Sequence, residues 1–84
     1  MSANKKQEMQ DQNRHVRAEL ARHPVDCGQV QMSVSSGTIY LYGKVRPLRG
    51  HEGDFKLALD TMLKALHKVH GIREIITFWQ ILDS

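Results

Sequence analysis

An internal disulfide is out of reach for this chain, because Cys27 is the one cysteine among its 84 residues. Disulfide-stapled secreted scaffolds are thereby excluded, and a reduced compartment is the simpler expectation. Long apolar runs are missing as well. The amino-terminal stretch MSANKKQEMQDQNRH is charged and polar, so it reads as neither a signal peptide nor a membrane span. As written, the chain is expected to be soluble and cytoplasmic, or periplasmic and envelope-associated if it is a piece from which a leader was trimmed. A large excess of one charge is absent too: the net charge is +3 and the pI is near 9.3. That mildly favours anionic partners such as phospholipid head groups or nucleic acid. The excess is local, since residues 29–53 carry three Lys/Arg against one Asp/Glu, whereas 1–28 carry five against four and 54–84 four against four. A mass of 9.6 kDa leaves room for one domain only.

Residues 1–8 are polar without apolar periodicity and read as a flexible amino-terminal tail, leaving 9–84 as the single domain. From Met9 to His23 the residues Met9, Val16, Leu20 and Ala21 share one helical face, with Arg14, Arg17, Glu19 and Arg22 around it. Pro24 stops that helix. A period-two pattern follows: Val30, Met32 and Val34, then Ser35-Ser36-Gly37, then Ile39, Leu41, Gly43 and Val45. This predicts a β-hairpin with one face covered and the tyrosines opposite the aliphatics. Beyond the loop RPLRGHEG, Asp54 is placed to cap a second helix, whose stripe is Phe55, Leu59, Met62, Leu66 and Val69. Gly71 ends it, and Ile72–Leu82 reads as a final strand. The fold class expected is α+β: a two-layer α/β sandwich, order α-β-β-α-β, with a three-stranded mixed sheet and two helices on one face.

These pieces resemble a BON domain, a small module found mostly in bacterial envelope and osmotic-stress proteins. The resemblance covers about residues 11–82 and rests on VRAEL at 16–20 with His23-Pro24, the hairpin VQMSVSSGTIYLYGKV at 30–45, and HKVHGIREI at 67–75. The hairpin is its most specific part, with Ile39, Leu41, Gly43 and Val45 in the family's apolar-x-apolar-x-Gly-x-Val strand; Gly71, Ile72 and Ile75 form its second characteristic piece. What the resemblance implies is a non-catalytic binding module that attaches to phospholipid membranes or to protein partners, with no catalytic residues and no cofactor.

Two surfaces are candidates for such binding. Lys44, Arg46, Arg49 and His51 arrive just before the second helix, with Lys56 in its first turn, and a basic loop leading into a helix amino terminus suits an anionic head group or phosphate. Glu52 and Asp54 oppose that reading, because they occupy the anion's place themselves. Tyr40, Tyr42, Phe78 and Trp79 form an aromatic set on the sheet, suited to a membrane interface, a protein partner or a homo-oligomer. Both alternations of the last strand are largely apolar, which also points to a partner surface. Gly50-His51-Glu52-Gly53 has the Gly-x-x-Gly form with which type II KH domains clamp nucleic acid, so a KH-like domain is the alternative, with a purely structural oligomerisation domain as another. His67 with His70, and His23 with Cys27, have spacings that bring ligands together, but no third ligand accompanies either pair, so no metal is expected. Cys27 beside Asp26 lacks the electropositive setting of a nucleophilic thiol. No P-loop, dinucleotide fingerprint or paired-carboxylate motif is present.

Overall fold

Alternating residues between Val25 and Pro47 fold, in the computed structural model of the chain, into the expected hairpin: β1 (Val25–Ser35) runs antiparallel to β2 (Thr38–Pro47). The structure describes residues 2–82, with side chains from Gln10 onward. Ser36 and Gly37 form the turn with φ of 51° and 81°, the two left-handed positions that a type I′ turn demands. A side chain at Gly37 would put a Cβ 2.7 Å from the Gly71 carbonyl oxygen. The Gly37 carbonyl also accepts the N–H of Arg73 at 2.7 Å and of Glu74 at 3.3 Å, which fastens the start of the last strand to the turn. β1 bulges once, where Cys27 and Gly28 together oppose Val45. The Gly28 N–H donates to Asp26 Oδ1 at 2.9 Å there.

The last strand comes in two pieces, β3 (Glu74–Thr77) and β4 (Gln80–Ile81), both parallel to β2. Thr38 stands beside Glu74 and Lys44 beside Gln80, one unbroken register, so the pieces lie end to end along the same side of β2. Among the described residues the sheet is thus four-stranded with a three-strand width, where the sequence predicts a single strand over Ile72–Leu82. The gap falls at Phe78 and Trp79, level with Tyr42 and Gly43. Gly43 has a φ of 96°, which lies outside regular strand geometry.

Helix α1 spans Ser2–Arg22 and α2 spans Phe55–His67. α1 begins well before Met9, in residues that the sequence suggested were a tail. That segment has no glycine or proline and is rich in Ala, Lys, Gln and Glu, so nothing halts helix propagation even where no apolar face exists to be buried. A 3₁₀ turn, Glu52–Asp54, precedes α2. Asp54 does stand at the α2 N-cap, but its side chain makes no capping hydrogen bond.

Val16 and Leu20 of α1 and Phe55, Ala58, Met62 and Leu66 of α2 meet Ile39, Leu41 and Val45 of β2 in one buried cluster. All three β2 residues point to the same face, so both helices cover that face and the chain is an α+β two-layer sandwich. Among the described residues no polar or charged residue is buried, and the core is held by apolar contact alone.

Candidate functional site

Strand side chains alternate between faces, and with the helices roofing one face of β2 no described element covers the opposite one. Tyr40, Tyr42, Lys44 and Arg46 all stand on that bare face, between the buried Ile39, Leu41 and Val45. The parallel register sets Ile76 beside Tyr40 and Gln80 beside Lys44. Between them Phe78 stacks on Tyr42, with ring centroids 5.3 Å apart and planes 11° from parallel. This pair is a ridge rather than a core element, since Phe78 is 61% and Tyr42 41% exposed. On the other flank β1 contributes Ser33, Gln31 and Gln29 opposite Tyr40, Tyr42 and Lys44. The face is therefore amphipathic along its length, with aromatics toward the hairpin turn and cations toward the far end.

The two surfaces read from the sequence are redistributed accordingly. Lys44 and Arg46 belong to the aromatic face and not to a loop, because they continue the strand parity of the tyrosines. Arg49, His51 and Lys56 stay behind at the exposed approach to α2. Trp79 leaves the aromatic face: it shares the parity of Ile75 and Ile81, lies on the helix side and packs against the core while half-buried. Ile76 and Gln80 are members of the open face that were not singled out from the sequence, although the alternation running through Phe78 contains both.

Electrostatics separate the two regions further. Asp26 is the cross-strand neighbour of Arg46, yet its Oδ1 takes the Gly28 N–H, and among the described residues neither Lys44 nor Arg46 forms an ion pair. In the loop, His51 Nδ1 lies 3.6 Å from Asp54 Oδ2. The Gly50 N–H donates to both carboxylate oxygens of Glu52, at 3.1 and 3.2 Å. The chain's own carboxylate thus occupies the first backbone donor of the Gly-x-x-Gly loop.

The remaining polar chemistry is sparse. Among the described residues no group of three or more His, Cys, Asp or Glu is placed to hold a metal ion. His23 instead meets Glu19 at 3.2 Å. Burial pushes the Cys27 thiol up to about 11 from 9.0, and the negative charge of Asp26 adds to the shift. Since the folded chain holds this proton more tightly than the unfolded chain, the associated stability is complete below about pH 9 and is lost as pH rises through about 11. Cys27 is accordingly expected to react with an aromatic disulfide reagent far more slowly in the native protein than in denaturant at neutral pH. Equal rates in the two conditions would contradict its protected setting.

No family model matches the chain, and neither the curated proteins nor the solved structures contain a match to it. Among the described residues no helix is long and apolar enough to cross a membrane.

Proposed function

We propose that the chain is a non-catalytic binding module of BON type that lays its open sheet face on an anionic phospholipid surface. The observation that carries this reading is the placement of Tyr40, Tyr42, Phe78, Lys44 and Arg46 on one solvent-facing layer. Aromatic side chains with a polar edge favour the interfacial zone of a bilayer, and cations nearby are drawn to its negative surface. The Tyr42–Phe78 ridge inserts among head groups while Lys44 and Arg46 contact phosphates beside it. Arg49, His51 and Lys56 play no part in this contact, because Glu52 and Asp54 offset their charge locally. The compartment belongs to the same proposal: a cytoplasmic leaflet, or the envelope if the chain is part of an exported protein.

Co-sedimentation with vesicles tests this. Each Lys or Arg near an anionic surface contributes about 1 kcal/mol, so losing two weakens binding roughly 30-fold, and Lys44→Glu with Arg46→Glu weakens it further by adding repulsion. Binding is expected for phosphatidylserine-rich vesicles, with little for pure phosphatidylcholine, and it should weaken as salt rises. Phe78→Ser should reduce it separately. Failure of the wild-type chain to sediment with anionic vesicles overturns the proposal, and tight binding of single-stranded RNA to the same face in its place would assign the aromatics to base stacking.

A further inference from the structure

We infer that the free edge of β1 is a pairing site for a second copy of this chain, joined antiparallel about Met32. Among the described residues β1 is a terminal strand of the sheet, paired only with β2. The two-residue turn makes Ser35 and Thr38 the closing hydrogen-bonded pair. By alternation the backbone groups of Ser33, Gln31 and Gln29 also face β2, while the N–H and C=O groups of Val30, Met32 and Val34 point away from it. Natural edge strands are ordinarily blunted by charge, proline or a bulge. Residues 29–35, QVQMSVS, contain no charge and no proline, and the bulge at Cys27 and Gly28 lies before them.

The occupant is identified by the symmetry of this segment. Antiparallel pairing about Met32 sets Gln29 against Ser35, Val30 against Val34, Gln31 against Ser33 and Met32 against itself. Every apolar residue then meets an apolar residue on the helix side, and every amide meets a hydroxyl on the open side. No like charges oppose one another across the join. Val30 and Met32 are half-buried in the single chain, packed against the core, and a strand laid alongside them completes their cover. The twofold axis of such a pair is perpendicular to the sheet, so both open faces look the same way. This inference stands apart from the lipid reading and is tested without vesicles.

Sedimentation of the full chain over a wide range of concentration is the first measurement, with a dimer expected for the wild type. Gln31→Lys with Ser33→Lys, both at exposed positions, brings like charges together across the join and should leave a folded monomer. Cross-linking fixes the register. In a Cys27→Ser background, a mixture of Gln31→Cys chains and Ser33→Cys chains should form a disulfide dimer on mild oxidation, several-fold more than either chain alone. Directly opposed residues place their Cβ atoms about 4.5 Å apart where a disulfide is feasible, whereas the diagonal self-pairs lie at about 7–8 Å. A wild type that is monomeric throughout overturns the inference. So does a dimer that persists in the double-lysine variant, or a mixture that cross-links no better than its components.

Discussion

Replacing Gly43 by alanine is expected to unfold much of the protein under conditions in which the wild type is fully native. Gly43 lies in the central strand with a φ of 96°, a backbone conformation that alanine adopts only with strain. A Cβ at this position would also run into the carbonyl oxygen of Gln29. That oxygen belongs to the partner strand at the point where β1 leaves its bulge, so it has little freedom to move aside. Strain and clash together are expected to cost about 3–5 kcal/mol. A domain of this size has roughly 4–13 kcal/mol in total, so the change removes a large share of it. Gly53→Ala is the control, because a Cβ there meets nothing within 4 Å and its φ is not positive; its effect should stay within about 0.5 kcal/mol. Urea melts followed by circular dichroism measure both. A Gly43→Ala midpoint equal to that of the wild type would show that the hairpin tolerates a side chain at its centre.

Two leucines of α2 give the other large effect. Leu66 is 0% exposed and Leu57 68% exposed. Leu66 sits in the cluster that joins α2 to β2 and to Val16 and Leu20 of α1, where truncation leaves a cavity that surrounding residues can only partly fill. Leu66→Ala should therefore cost about 3–5 kcal/mol, enough to bring the midpoint close to zero denaturant if the domain lies at the low end of its range. Leu57→Ala should change stability by less than about 0.5 kcal/mol, since water already reaches most of that side chain. Equal losses at the two positions would mean that α2 is rotated about its axis from the packing described above.

Strand parity makes much of this molecule legible in its sequence. Val30, Met32 and Val34 alternate with polar residues, and Ile39, Leu41 and Val45 alternate with Tyr40, Tyr42 and Lys44, so the hairpin and its covered face follow from period two alone. The stripe Phe55, Met62 and Leu66 marked the buried side of α2 in the same way. Parity also held the answer for the candidate surface, because Lys44 and Arg46 share the sense of the tyrosines and Trp79 opposes that of Phe78. Grouping residues by charge or by aromatic character, instead of by parity, merged a strand with a loop and two sides of a sheet. Other features were hidden for a physical reason. The interruption at Phe78 and Trp79 lies opposite Gly43, a residue far away in sequence with a left-handed backbone, and local composition carries no trace of it. The early start of α1 depends on helix propensity without amphipathicity, so a search for an apolar stripe passes over it.

That interruption has a consequence for how copies of the chain can assemble. A sheet with two regular borders can add molecules without limit, each newcomer presenting another docking border to the next. Here β3 and β4 offer only short stretches of ladder separated by two bulky rings, so one side of the molecule is a poor template for a further strand. Two molecules joined through their intact borders have only the broken ones left facing outward. Association of that kind is self-limiting: it closes at a pair and does not grow into a filament.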